Sequence, residues 1–402
     1  MGKDVHVAVI ADPQLTDAYS YRMNPGWKLS AVEFYSDIFM KRNFKLLNWQ
    51  FEPDYIIILG DLMDGGREWI RGGVREGMFP KELSRFNHIF RNSGVKAPIY
   101  PIAGNHDIGI GTNILPEAYA RFKKEFGKVN YSFKVGGHNI IALDTLSYLG
   151  SAESPYFQKS DAFVRNFLEN DDGTSPRILL THVPLYRPDD ADCGPIRNKP
   201  PIRQGYGYQY QNLLNEPLTQ YLFTRIRPTL VLSGDDHDFC HHEHTGAYVA
   251  GSGAFAVPEH SVASFSWLMG NVYPGFALLS LNGDVKGVGD GSGWRMQTCA
   301  LVPQLVVYRW YIWLLVISVV GTFLWVGVTR ESWEGRVAGG AGMVVPGVGT
   351  KEKKKAGPVV AAGRLSWFGF AVWTVVYGLG MFLEVILSTV AVYAVLLLYD
   401  WL

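Results

Sequence analysis

Cysteine is nearly missing from this chain: three residues, at 193, 240 and 299, in a total of 402. Three are too few for a disulfide framework and lack the paired spacing of a Cys-rich zinc site. Cys193 and Cys240 each sit in a segment that follows a motif discussed below, so a bond between them and a pair of buried or free thiols are equally open readings. An excess of either charge is also missing. Thirty-seven Lys and Arg balance 37 Asp and Glu, giving a formal net charge of zero, and bulk electrostatics therefore favours no polyanionic partner such as nucleic acid. No apolar leader precedes the first strand-like run, which begins by Val5, and Met1–His6 lacks the Ser or Thr of a myristoylation signal. What the chain does have is length and aromatics. The length suffices for one large domain with appendages, and many of the 12 Trp fall near or inside two apolar segments toward the C-terminus.

Five short runs of metal-binding residue types recur, each after a β-like apolar run. Asp12-Pro13-Gln14 follows HVAVIA, Gly60-Asp61-Leu62-Met63-Asp64 follows YIIIL, and Gly104-Asn105-His106-Asp107 follows PIYPIA. Thr181-His182 follows RILL, and Gly234-Asp235-Asp236-His237 follows TLVLS. In an open α/β sheet the loops at the carboxyl ends of strands converge on one crevice, so donors far apart in sequence can surround one point. Five such runs mixing oxygen and nitrogen donors read as a two-metal hydrolytic site.

Strand-like and helix-like segments alternate through residue 282. Ser30-Ala31-Val32-Glu33 has the form of a capping box opening a helix with apolar Val32, Tyr35, Ile38, Phe39, Leu46 and Trp49. Further helices are expected over 80–90, 116–126, 161–168 and 216–225, and two β runs across Gly136-Gly137 within 130–144. Long polar loops at 146–160 and 184–212 are expected to overhang the crevice. Asn130-Tyr131-Ser132 is a glycosylation sequon inside an expected strand.

Past residue 300 the chemistry changes. Residues 305–328 are apolar except for Arg309, and 368–399 are apolar except for Glu384; both are long enough to span a bilayer. The Gly- and Val-rich linker between them, 329–366, carries seven Lys/Arg against three Glu. The positive-inside rule puts this linker in the cytoplasm and residues 1–300 on the lumenal or exterior side.

The order and spacing of the five runs resemble the calcineurin-like metallophosphoesterases, whose pattern is D-x-H, G-D-x-x-D/N, G-N-H-D/E, a lone His, and G-H-x-H. Gln14 and Asp235 stand where that pattern has His. With GDLMDGGREW, SGDDHDFCHHEH and SFSWLMGNVYPGFALLSL, these departures resemble one branch, the membrane-bound phosphodiesterases that remove ethanolamine phosphate from a mannose of glycosylphosphatidylinositol (GPI) anchors. The resemblance implies an α/β sandwich of two mixed β-sheets flanked by helices, followed by C-terminal transmembrane helices. It implies an enzyme of the endoplasmic reticulum membrane (or Golgi) whose partners are GPI-anchored proteins or GPI glycolipid and membrane lipid, with no nucleic acid; oligomeric state is not legible. The branch normally opens with a membrane segment; whether one belongs ahead of Val5 is not legible in the sequence.

By matching positions, the first of two divalent ions is expected on Asp12, Gln14, Asp61 and His237, and the second on Asp61, Asn105, His182 and Asp235, with Asp61 bridging. The oxygen-rich set favours Mn²⁺. The resemblance gives His106 the role of acid toward the leaving group in attack by an activated hydroxide, with Asp107 orienting its ring. Asp64 and Arg67 are expected near the metals or the phosphate, and Tyr186, with Arg187, Tyr206, Tyr208 and Tyr210, near a sugar. Asp235 adds negative charge, which suits a singly charged diester better than a monoester. Phosphodiesterase or phosphatase activity on lipid headgroups or nucleotides, and a noncatalytic protein binding GPI or cargo, are the alternatives.

Overall fold

The structure is a computed structural model describing residues 4–21, 25–69, 77–249, 253–282 and 293–328, with four further positions, Leu379, Leu383, Leu387 and Val390. It divides into two units, 1–303 and 304–402.

Two mixed sheets form the first unit. In chain order the strands are β1 (Val5–Ile10), β2 (Tyr55–Ile58), β3 (Ile99–Pro101), β4 (Tyr131–Val135), β5 (His138–Ala142), β6 (Arg177–Leu180), β7 (Tyr206–Gly207), β8 (Tyr210–Gln211), β9 (Leu230–Ser233), β10 (Cys240–Val249), β11 (Gly253–Ser261), β12 (Gly275–Leu281) and β13 (Trp294–Ala300). One sheet runs β13-β12-β1-β2-β3 and the other β10-β11-β9-β6-β5-β4; β7 and β8 form a separate hairpin. Strands β1, β2 and β3 are parallel, as are β5, β6, β9 and β11. Every one of the five motifs follows the carboxyl end of one of these parallel strands, which is what brings them to one crevice.

Side-chain alternation holds the sheets together. Val7, Val9 and Ile57 of one sheet pack against Ile140, Ile178, Leu180, Leu230 and Leu232 of the other. The intervening residues Ala8, Ile10, Ile56, Ile58, Leu179 and Val231 turn outward to join the helices in the larger core. A strand's two-residue period makes this division, and burial on both faces explains the near-continuous apolar runs.

Several local expectations change. The first long helix is Trp27–Phe51, so Ser30 lies inside its first turn, donating its amide to the Gly26 carbonyl, and the capping box does not form. Glu33, its expected acidic member, instead takes the Lys81 ammonium at 2.8–2.9 Å. Tyr35, Leu46 and Trp49 of that helix are exposed rather than packed. Residues 146–160 are not a loop. They contain a 3₁₀ turn at Ser147–Leu149 and the start of the helix Pro155–Asn170, whose Tyr156 amide is capped by the Ser154 hydroxyl. The Gly136-Gly137 hairpin and the helix Pro116–Phe126 form as expected. The sheet also gains β13, beyond residue 282. Asn130 is half-buried with its amide nitrogen on Ser160 Oγ and its oxygen on the Asp144 amide, so the sequon side chain is engaged in the fold.

Cys193 and Cys240 are joined in a disulfide. In the second unit, a helix covers Gln304–Val328. Its Gln304–Trp325 stretch has mean hydropathy 1.7, none of it buried, and is long and apolar enough to cross a membrane. The linker 329–366 and, apart from the four positions named, the second apolar stretch lie outside the described residues.

Candidate metal centre

Asp61 stands at the junction of two donor groups. Ligand atoms of Asp12, Asp61 and His237 lie within 4.8 Å of one another, and so do those of Asp61, His182 and Asp235. The two groups share only Asp61. The remaining expected ligands sit beside them: Gln14 Nε2 donates to Asp61 Oδ2 at 3.2 Å, and Asn105 Oδ1 is 2.9 Å from His182 Nε2. All seven candidate ligands are thus brought together.

The backbone is bent hard to do this. Among the described residues, eight non-glycine residues have positive φ, and five are candidate ligands: Asp12 (44°), Gln14 (35°), Asp61 (49°), Asp235 (63°) and His237 (67°). Such conformations cost energy and persist where the surroundings over-determine them, as at functional sites. Glycine is required where the loops touch. A Cβ on Gly104 would lie 2.0 Å from Asp61 Oδ1, and one on Gly60 would lie 2.4 Å from His182 Nδ1.

The donor set fits divalent cations. His182 Nδ1 donates to the Leu59 carbonyl at 2.8 Å, which fixes the tautomer and leaves Nε2 as an acceptor. That lone pair faces Asn105 Oδ1, Asp61 Oδ1 (3.3 Å) and Asp235 Oδ1 (3.4 Å), an arrangement of four acceptors that a cation between them makes favourable. Asp12 Oδ2 and Gln14 Oε1 are buried acceptors without a hydrogen-bond partner, as lone pairs directed at a metal would be. Burial and the neighbouring Asp61 and Asp235 carboxylates hold the Asp12 carboxyl well above the usual range, although His182 opposes them. Asp61 is drawn below that range: burial opposes ionisation, but with no metal between them Asp61 and Asp235 hold a proton on the buried His182, and that cation, with His106, outweighs it. Burial brings His237 down to about 4, keeping its imidazole neutral and able to ligate.

His106 is not within either donor group. Its amide donates to Asp61 Oδ1 at 2.8 Å, and its ring Nδ1 bonds to the Asp64 carbonyl with the Asp64 carboxylate 3.3 Å away. Nε2 stands 4.0 Å from Asp61 Oδ2. The side chain keeps 20 % of its surface exposed, enough to meet a substrate. Asp107 does not orient that ring. Its carboxylate accepts the amides of Leu62 (3.1 Å) and Gly104 (2.9 Å), clamping the Gly104 loop to the Asp61 loop. Burial and Asp61 push it up to about 7. Arg67 is buried and directs Nη1 to the Asn105 carbonyl at 3.0 Å, a fixed support for a ligand-bearing loop rather than an exposed phosphate contact.

Tyr186 lies elsewhere. It lines a cavity of about 380 Å³ with Thr219, His242 and His244, and no candidate ligand borders it. Arg187 is buried too, paired with Glu259 at 2.7 Å, so neither residue faces the metals as a sugar contact would.

Gln209 was not foreseen. It sits at the turn between β7 and β8 with φ of 60°, and its carbonyl accepts the Asn105 Nδ2 at 2.8 Å, aiming the Asn105 oxygen at His182. Its own side chain is pinned by the Ile110 amide (3.0 Å) and the Asn113 carbonyl (2.9 Å). The signal for it in the sequence, GYGYQY, is only a turn-forming stretch.

Residues 5–239 match the family described as calcineurin-like phosphoesterase. The chain belongs to that family. Cell division control protein 1 of Saccharomyces cerevisiae is 33% identical over 327 residues, covering 79% of this chain and 65% of its own. Metallophosphoesterase 1 of Rattus norvegicus is 30% identical over 261 residues, covering 60% and 62%. The Metallophosphoesterase 1 homolog of Caenorhabditis elegans is 28% identical over 249 residues, covering 61% and 64%. The chain spans somewhat under two thirds of the length of each of these relatives. The chain thus joins a calcineurin-like phosphoesterase unit whose donor groups fit divalent metal ions to a helix long and apolar enough to cross a membrane.

Proposed function

We propose that this phosphoesterase is a Mn²⁺-preferring phosphodiesterase that removes ethanolamine phosphate from a mannose of GPI anchors, with its first unit in the lumen of the endoplasmic reticulum. The observation that carries the reading is Asp235. A carboxylate stands 3.4 Å from His182 Nε2 where the resembled pattern has an imidazole. That extra negative charge tightens a divalent cation and opposes a dianionic monoester more than a monoanionic diester. The Cys193–Cys240 disulfide supports an oxidising compartment, and the basic linker 329–366 supports lumenal orientation.

The chemistry supplied by two bound divalent cations is charge neutralisation at the phosphoryl oxygens and a water acidic enough to attack phosphorus near neutral pH. Asp12, Gln14 and His237 would hold one, Asn105, His182 and Asp235 the other, and Asp61 both. His106 serves the leaving side. With Nδ1 tied to the Asp64 carbonyl and the Asp64 carboxylate 3.3 Å from it, Nε2 is the nitrogen left to deliver a proton to the mannose oxygen as the P–O bond breaks. Ethanolamine phosphate and the free sugar hydroxyl are the products.

The test is turnover of a purified GPI glycan by the full chain with Mn²⁺, Mg²⁺ or Zn²⁺ restored after chelation, read by mass spectrometry of the glycan. Loss of ethanolamine phosphate with Mn²⁺ is expected. Cleavage of generic diesters with an untouched glycan would refute the substrate. An epitope at 347–350 should be digested from outside sealed microsomes while the first unit survives; the reverse pattern would refute lumenal placement.

A further inference from the structure

The outward face of the Trp27–Phe51 helix is unusual for an ordinary solvent surface. Trp27 is 78% exposed, Trp49 77%, Leu46 49% and Tyr35 37%. At 100° per residue these four positions fall within about a third of the helix circumference. Lys28 and Arg42, both exposed, and the half-buried Lys45 share the same sector. The helix's internal acids turn the other way: Glu33 pairs with Lys81, and Asp37 accepts both arms of Arg85 at 2.7 Å. Glu52 follows at the C-terminal cap. Opposite the face, Leu29, Met40, Phe44 and Leu47 are buried in the core, and Phe39 at its edge and Ile38 within the sector are buried as well. Packing therefore draws mainly on one side of the helix, reaches the other through Ile38 at mid-helix, and leaves a tryptophan exposed near each end.

We propose that this face is a docking surface for the bilayer, seated among the lipid headgroups. The proposal rests on the reading of Gln304–Val328 as a membrane-crossing helix. That helix starts at the residue after the first unit ends, so the same chain keeps a bilayer within reach of the unit. The composition selects lipid over a protein partner. Tryptophan and tyrosine prefer the interfacial zone, and lysine and arginine interleaved with them match anionic headgroups. Direction matters as well. The helix leaves the Asp12–Tyr21 loop at the crevice end of β1 and returns to β2 at the far end, where the Asp54 amide meets the His6 carbonyl. Trp27 is thus at the crevice end and Trp49 at the other. Docking along the helix would lay the sandwich on its side, with the metal crevice opening along the bilayer surface, where a phosphodiester on a membrane-anchored molecule is presented without leaving the membrane.

The experiment uses the full chain reconstituted in vesicles, with Cys299→Ser removing the free thiol. An environment-sensitive fluorophore is placed on Leu46→Cys, or on Gln158→Cys in the helix Pro155–Asn170 that covers the other sheet, and nitroxide quenchers are carried in the lipid tails. The expected result is strong quenching at 46, at a depth of about 5–10 Å, and little at 158. Trp27→Ser with Trp49→Ser should abolish the difference while leaving turnover of a soluble aryl phosphodiester unchanged. In vesicles containing phosphatidylserine, Lys28→Glu with Lys45→Glu should shift the docked fraction roughly tenfold toward undocked; no shift would overturn the basic residues' part in the proposal. A probe at 46 as aqueous as the one at 158 would overturn docking. So would shielding at 46 that tracks protein density rather than lipid, which would assign the face to a second copy. Carbonate extraction separates the underlying reading: a chain released from the membrane by carbonate would overturn the spanning helix and the docking with it, whereas a retained chain with an aqueous probe overturns the docking alone.

Discussion

Replacing His106 by alanine isolates the proton-transfer part of the site from the metal part. The geometry separates them: the His106 amide, which holds Asp61 Oδ1 at 2.8 Å, is retained by alanine, and the imidazole touches neither donor group closer than 4.0 Å at Nε2. Metal content should therefore be unchanged. Losing a general acid costs about 10²–10⁴ in rate, roughly 3–5 kcal/mol of transition-state stabilisation. The size of the loss depends on what leaves. A sugar or alkyl oxygen needs a proton to depart, whereas a nitrophenolate does not. His106→Ala should thus lose the full factor on an alkyl phosphodiester and much less on the aryl one. Parallel kcat measurements on the two substrates, with metal content by elemental analysis, decide the matter. Equal losses on both substrates would refute the acid role, and an emptied metal site would make His106 a ligand. Asp64→Asn should give a smaller loss of the same leaving-group dependence, since the Asp64 carbonyl that fixes the ring remains.

Asp61→Asn should lose both metals together, because both donor groups pass through it; retention of one metal per chain would rule out the bridging arrangement. Gln209→Ala removes two buried hydrogen bonds worth about 1 kcal/mol each and should raise the metal concentration needed for half-activity roughly tenfold, with kcat at saturating metal changing less. Cys193→Ser opens a loop of sequence separation 47 and should lower stability by about 4 kcal/mol by the chain-entropy estimate, measured by denaturant unfolding of the full chain in detergent. Glu259 provides the pH test: burial works to raise its pKa, but Arg187 and His244 hold it at about 2, against 4.5 when unpaired. Because the folded value is the lower one, this stabilisation is present above about pH 4.5 and disappears as pH falls through 2, amounting to about 3 kcal/mol. Glu259→Gln should flatten the unfolding free energy across that window, and an unchanged slope would refute the assignment.

What the sequence made legible follows from which signals are local. Each β-run ending in a Gly, Asp, Asn or His motif announces itself, because a parallel strand buried on both faces must be apolar throughout and its loop must carry whatever chemistry the fold performs. The five motifs were readable for that reason, and Pro116–Phe126 because proline sits at its first turn. The failures involve competition. At Ser30 a local capping pattern lost to a helix that begins a turn earlier, since Glu33 is drawn inward to Lys81. Arg187, expected near a sugar from its place in the overhanging 184–212 loop, pairs instead with Glu259, which is 72 positions away and enters through β11. Tyr186 shares that loop but lines a separate cavity with Thr219, His242 and His244, because membership of an overhanging loop does not fix which cavity a side chain enters.

The role of Asp107 shows where motif reading stops. GNHD places a carboxylate next to a histidine, and adjacency suggests that one orients the other. The four-residue helical turn Asn105–Ile108 instead sends the two side chains apart, His106 toward the Asp64 carbonyl and Asp107 back to the amides of Leu62 and Gly104. The same principle governs the ligands themselves. Five of them, and Gln209 behind Asn105, occupy left-handed backbone that only glycine adopts readily, yet none of the six is glycine, because each must also supply a donor atom or a pinning side chain. The neighbouring glycines at 60 and 104 are what let the strained residues approach one another. Strain of this kind is invisible to a reading of residue types, which registers Asp61 as an acid and Gly104 as a turn. It becomes intelligible only when the contacts that hold the backbone there are known. The placement of Gln209, reached from a hairpin about a hundred residues beyond the ligand it aims, is the clearest case.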